Sequence, residues 1–137
     1  VILSLDAEAV NAMAGRDGPT KRKVQRALEA AARTRSEVIV PAVVLAELYR
    51  GSARSQAVDA FLARHEAAIT TRDTDRTLAR YVGTILLGAG MGSEHMVDAH
   101  VVAAVVEAGG GVALTGDPDD LARLAARYQT VLVEPLG

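Results

Sequence analysis

The sequence predicts an α/β fold, a three-layer α/β/α sandwich around a mostly parallel central sheet, and three observations carry that expectation. Short runs of strand formers alternate with helical patterns along all 137 residues, and parallel neighbouring strands need crossover connections of the kind such helices supply. The length suits about one domain, so residues 1–137 are expected to form a single domain around one core. Half the residues are apolar, yet Phe61 is the only phenylalanine, tryptophan is absent, and Tyr49, Tyr81 and Tyr128 complete the aromatic set. Alanine, valine and leucine must therefore build the core, which suits helices packed closely on a sheet.

The elements follow in order. Val1 to Leu5 is a short apolar strand, and a helix over residues 6–14 follows it directly. Residues 15–19, Gly-Arg-Asp-Gly-Pro, break the chain. A helix over 20–33 places Val24, Ala27, Leu28 and Ala31 on one stripe and leaves a polar, basic outer face. Residues 37–40 read as a second strand ended by Pro41, and 43–49 as a short helix stopped by Gly51. Helices over 54–65 and 73–87 flank a short strand near 68–70. The glycine-rich segment 88–92 interrupts the pattern, and a helix beginning at Glu94 or Met96 runs to Ala108. Three glycines, 109–111, end it. Residues 112–115 form another strand, 119–128 another helix, and 130–133 a last strand before Pro135.

Composition removes several functional classes. With Lys+Arg 15 against Asp+Glu 17 the net charge is −2, so this is no uniformly basic protein that coats nucleic acid. The scarcity of aromatic residues argues against the stacking platforms of OB and RRM modules. The absence of cysteine removes disulfides, thiolate metal sites and cysteine nucleophiles. No apolar run reaches about 18 residues and no charged segment precedes the first strand, so a soluble cytoplasmic protein without a membrane segment is expected. The chain begins at Val1 rather than methionine, which places the expected native start at least one residue upstream.

In a parallel α/β sheet, functional sites form outside the carboxyl ends of the strands, and four acidic residues sit at strand-to-helix junctions or in the helices that follow. Asp6 ends the first strand and Asp117 follows residues 112–116, Val-Ala-Leu-Thr-Gly. Either could be a simple helix cap. Glu47 stands among Val43, Val44, Leu45, Ala46 and Leu48. Asp98 opens a segment apolar on almost every side, from Val97 through Val106. Charged groups are rarely buried unless paired or metal-bound, and no arginine or lysine lies between Arg80 and Arg123. A shared divalent cation would neutralise several such carboxylates together. Oxygen ligands without cysteine or a paired-histidine motif point to Mg²⁺ or Mn²⁺ rather than zinc. Such a cluster suits phosphodiester hydrolysis, in which the cation activates water and offsets charge on the departing oxygen, so no side-chain nucleophile is required.

These residues resemble PIN-domain nucleases, specifically the VapC-type toxins of bacterial toxin–antitoxin pairs. The resemblance spans essentially the whole chain. It rests on Leu3-Ser4-Leu5-Asp6-Ala7, on Ala46-Glu47-Leu48-Tyr49-Arg50-Gly51, on Val97-Asp98-Ala99-His100, and on the run from Leu114 through Thr115-Gly116-Asp117-Pro118-Asp119-Asp120 to Leu121, in that order and spacing. It implies an α/β/α sandwich, a Mg²⁺- or Mn²⁺-dependent endoribonuclease activity on cellular RNA, homodimerisation, and inhibition by a small cognate antitoxin of the VapB type. It also implies that Asp6, Glu47, Asp98 and Asp117 hold metal and water, that Asp119 or Asp120 is an accessory acid, and that the Thr115 hydroxyl supports Asp117. The chain departs from the pattern after the first aspartate, where Ala7-Glu8 replaces a pair of small hydroxyl residues. Glu8 is expected to favour the first turn of its helix rather than to add a fifth carboxylate.

The basic helix and its flanks carry five more positive than negative charges between Arg16 and Arg35, and Lys21, Arg22, Lys23 and Arg26 are its candidate contacts for RNA or antitoxin. His95 reads as an ordinary loop histidine. A haloacid-dehalogenase-like phosphatase is a competing class, but it needs a second aspartate where Glu8 stands and a late lysine, whereas Lys21 and Lys23 are the only lysines. A PIN-like module that only binds protein or RNA would be expected to have lost part of the acidic quartet, and all four acids are present.

Overall fold

The computed structural model describes all 137 residues. Five strands, β1 (Ile2–Leu5), β2 (Glu37–Pro41), β3 (Ile69–Arg72), β4 (Gly111–Thr115) and β5 (Val131–Pro135), form one sheet in the order β3-β2-β1-β4-β5. Every pairing is parallel. The helices are α1 (Ala7–Ala14), α2 (Pro19–Thr34), α3 (Ala42–Leu48), α4 (Ser52–Arg64), α5 (Arg76–Ala89), α6 (Met96–Glu107) and α7 (Pro118–Ala125), with a 3₁₀ turn at Ser93–His95 leading into α6. α6 packs on β1, β2 and β4 with α5 and α7 beside it, and α1 packs on β1 and β4 with α2 and α4 behind it. The expected α/β architecture is therefore the observed one.

Sequence and structure differ mainly at helix ends. α5 starts at Arg76 rather than at 73 because Asp75 caps it, its Oδ1 accepting the Leu78 amide at 2.9 Å. Arg72 holds that cap from outside, with Nη2 3.1 Å from Asp75 Oδ1 and 2.8 Å from Glu107 Oε2. α7 stops at Ala125, short of the 128 expected.

The core is one cluster of 33 buried residues, built from Leu5, Leu78, Ile85, Leu114, Leu121 and many valines, with Phe61 as its only aromatic member. Residues Ala99 to Val105 of α6 are all buried, as its near-continuous apolar sequence predicts for a central helix.

This topology fixes where a site can form. The chain builds outward from β1 to β2 and β3, then returns to β4 and β5 on the other side, so the strand order reverses between β1 and β4. Crevices in parallel sheets open at such a reversal, beyond the carboxyl ends of the strands, and Asp6 and Asp117 lie at those ends. Ser4, fully buried in β1, joins the sheet to the central helix by donating its hydroxyl to the Val101 carbonyl at 3.0 Å. Replacing Ser4 by Ala should lower stability by about 1 kcal/mol, the usual net worth of such a bond, measured as a reduced urea midpoint at unchanged slope. An unchanged midpoint would mean that the bond does not help hold α6 on β1.

Candidate functional site

Asp6 is the best-anchored of the acids and is only 4 % exposed. Its amide continues the sheet by donating to Leu114 O at 3.2 Å. Its Oδ1 caps α1 by accepting the Ala9 amide at 2.9 Å. Its Oδ2 accepts the Thr115 hydroxyl at 2.7 Å and the Gly116 amide at 2.9 Å. Three bonds fill most of the roughly four acceptor positions of a carboxylate, which fixes its orientation. The capping reading of Asp6 and its place in an acidic cluster are thus both true. The Thr115 hydroxyl makes two bonds here: it accepts the Asp117 amide at 2.8 Å and donates to Asp6.

Asp98 stands in the first turn of α6. Its carboxyl is pushed up to about 6, first by burial and then by the charges of Asp117, Asp6, Asp120 and Glu47. Asp117 precedes α7 without making a side-chain cap bond, and its carboxyl is raised by burial and then by Asp120 beside it. Asp6, Asp98 and Asp117 are therefore brought within electrostatic reach of one another. Glu47 is exposed on α3 and enters only as the last of the charges acting on Asp98. The apolar residues around it in sequence are on the buried face of α3, at Val44, Leu45 and Leu48.

The structure separates Asp119 from Asp120. Asp119 is exposed, while Asp120 is partly buried and lies 3.6 Å from His95 Nδ1. His95, Asp98 and Asp120 offer ligand atoms that all lie within 4.8 Å of one another, the tightest set in the chain. His95 is consequently no ordinary loop histidine. The signal available in sequence was its position three residues before Asp98, which one helical turn brings alongside. Glu8 is a second departure. Its carboxylate lies against Gly116, where any Cβ would collide with it, and its carboxyl is raised by burial, then by the charges of Asp6 and Asp117. It joins the cluster as well as opening α1.

No lysine or arginine pairs with Asp6, Glu8, Glu47, Asp98, Asp117 or Asp120. A set of carboxylates that raise one another, with one imidazole and no fixed cation, fits a divalent ion.

A family model described as PIN domain matches residues 3–127. The chain belongs to the PIN-domain family. PIN domains are nucleases, and the acidic cluster of this PIN domain can bind a metal. A solved structure, VapBC2 from Rickettsia felis bound to a DNA fragment from their promoter, matches with a TM-score of 0.66 and 17 % identity over 98 % of both chains. At that identity the likeness is one of fold. A search of curated proteins finds no match to this chain. Family membership removes the dehalogenase-like alternative. No helix of this PIN domain is long and apolar enough to cross a membrane.

The raised carboxyl of Asp98 makes stability depend on pH. Because its folded value, about 6, lies above the ordinary 3.8, the folded chain holds the proton more tightly than the unfolded chain does. In chelator its contribution is therefore lost as pH rises from about 4 to about 6 and is flat above that. Asp98→Asn should remove this slope. Urea unfolding at both ends of the window should show wild type losing on the order of 1–2 kcal/mol relative to the variant, allowing for solvent screening of a half-buried group. Parallel pH curves would refute the assignment.

Proposed function

We propose that this chain is a VapC-type toxin: a Mg²⁺- or Mn²⁺-dependent endoribonuclease that cleaves cellular RNA in the cytoplasm, works as a homodimer, and is inhibited by a small cognate antitoxin of the VapB type. The observation that carries the reading is the convergence of Asp98 on Asp6, Asp117, Asp120 and Glu47 with no lysine or arginine to balance them. PIN-family membership and the fold shared with VapBC2 support it.

In this reading Asp6, Asp98 and Asp117 hold the ion, with Glu47 at the rim, Asp120 as the accessory acid and His95 beside it. A divalent ion bound there supplies a polarised water at neutral pH and charge to offset the departing oxygen. Thr115 and Gly116 keep Asp6 from turning away, and Ser4 holds α6, hence Asp98, against β1. Lys21, Arg22, Lys23 and Arg26 form the candidate surface for RNA or antitoxin. Lys21 is committed to Asp17 at 3.4 Å and to Gly15 O at 3.0 Å, which leaves Arg22, Lys23 and Arg26 free of such partners.

The direct test is cleavage of structured tRNA and rRNA fragments by purified protein with Mg²⁺, Mn²⁺ or chelator. Asp6→Ala, Glu47→Ala, Asp98→Ala and Asp117→Ala should each reduce single-turnover cleavage by roughly 10²-fold or more, and non-additively in combination. Thr115→Val should cost ten- to a hundredfold, as loss of a group that orients a ligand does. Near-normal cleavage by any two of the four alanine variants would sink the assignment, and RNA binding without metal-dependent cleavage would make the chain a binding module.

Metal linkage offers an independent check. Asp98→Asn should melt a few degrees above wild type in chelator, because it removes one repelling charge. Wild type should overtake it as Mn²⁺ is added, since an ion at a hundredfold excess over Kd contributes about 2.7 kcal/mol. Melting curves that shift in parallel with metal would place Asp98 outside the ion's coordination sphere.

A further inference from the structure

α5 and α7 pack side by side, and two adjoining hollows run along α5, the first bounded by Tyr128 beyond the end of α7 and the second reaching α7 itself. One, of about 520 Å³, is lined by Arg76, Arg80, Tyr81 and Tyr128, with Thr77 and Thr84. The other, of about 280 Å³, lies between Gly88 and Arg123 and Arg127, and shares Tyr128. Arg127 can lie flat on α5 because a Cβ at Gly88 would come within 3.2 Å of its Nη1. No carboxylate lines either hollow. All four arginines are exposed, and none is in an ion pair.

We propose that this groove holds single-stranded RNA on one side of the scissile phosphate, with neighbouring phosphates on the arginines and bases against Tyr81 and Tyr128; the inference rests on the nuclease reading of the acidic site. The groove and the acids share a helix. Asp117 stands at the head of α7 and Asp120 in its first turn, facing His95. Arg123 comes three residues after Asp120, on the same side of the helix and about 5 Å along it. Arg127 follows just past the helix end. A polyanion drawn to an acidic centre needs cations close by to offset repulsion, and this row begins one turn away.

The side-chain chemistry favours nucleic acid over other polyanions. Guanidinium groups grip phosphate in a fork that lysine cannot match, and tyrosine offers a face on which any base stacks. The basic face of α2 has guanidinium groups at Arg22, Arg26 and Arg33 but no aromatic residue beside them, and its Lys21 is tied to Asp17.

The test uses the full chain in chelator, so that nothing is cleaved, with a fluorescein-labelled single-stranded RNA of mixed sequence as probe and anisotropy across a salt series. Arg80→Ala/Arg127→Ala should weaken binding roughly tenfold and flatten the plot of log affinity against log salt by about 1.4, the loss of two phosphate contacts on a single strand. Tyr81→Leu should weaken binding about fivefold or more and leave the slope unchanged, because stacking releases no counterions. Melting temperatures near that of wild type certify the fold, as expected for exposed positions.

Unchanged affinity and slope in both groove variants overturns the proposal. So does loss of binding confined to Lys21→Ala/Arg22→Ala/Lys23→Ala, which would move the RNA to α2. A third contrary result is a lower mass by light scattering for Arg80→Glu/Arg127→Glu with RNA binding intact, which would make the groove a contact between copies. The two readings separate cleanly. Wild type that cleaves RNA while groove variants bind it normally condemns the groove alone, whereas groove-dependent binding with no metal-dependent cleavage supports the groove and condemns the nuclease.

Discussion

Carboxylates gathered away from water repel one another, and that constraint organises the functional end of this molecule. At an effective dielectric of about 20, two such charges near 4 Å interact by roughly 4 kcal/mol before relaxation. The chain relieves none of this with lysine or arginine. Burial first, and the acids' mutual repulsion after it, pushes Asp98 up to about 6 and raises Glu8 and Asp117 beside it. The rest of the fold is arranged so that this cluster cannot dissipate by moving apart.

The restraint comes from the sheet and its central helix. Asp6 is held by amides from Ala9 and Gly116 and by the Thr115 hydroxyl, so the ends of β1 and β4 are locked to each other at the acid itself. α6, buried along Ala99 to Val105, carries Asp98 on a segment that cannot shift without opening the core. The missing side chain at position 116 leaves room for the Glu8 carboxylate over it. Rigidity of this kind is what a site made of mutually repelling groups requires, since any soft element would relax away from the others.

Charge of the opposite sign lies outside the cluster, along α7 and α5 and on the outer face of α2. A net charge of −2 therefore conceals a division of labour: acids at the strand ends and unpaired arginines one helical turn beyond them. Separating the two signs preserves the field of each. An arginine inside the cluster would satisfy the acids and leave nothing for an ion to neutralise.

The sequence by itself determined the class of fold, the central place of α6, and the positions of Asp6, Asp98 and Asp117, because alternation of strand and helix, unbroken apolar runs and strand-end junctions are local properties of the chain. It also marked residues 114–121 as functional without distinguishing Asp119 from Asp120, which the fold separates because consecutive residues on a helix point about 100° apart. Glu47 looked confined among apolar neighbours, yet α3 buries only one face and leaves it exposed. The sequence marked His95 only by its nearness to Asp98; its contact with Asp120, the place of Glu8 over Gly116, and the gathering of Arg123, Arg127 and Tyr128 along α5 were invisible in it. Each joins residues that are distant along the chain, by 25 positions for the first and over a hundred for the second. Only the packing of the helices on a completed sheet decides which such side chains meet, because that packing depends on the whole core and no local segment encodes it.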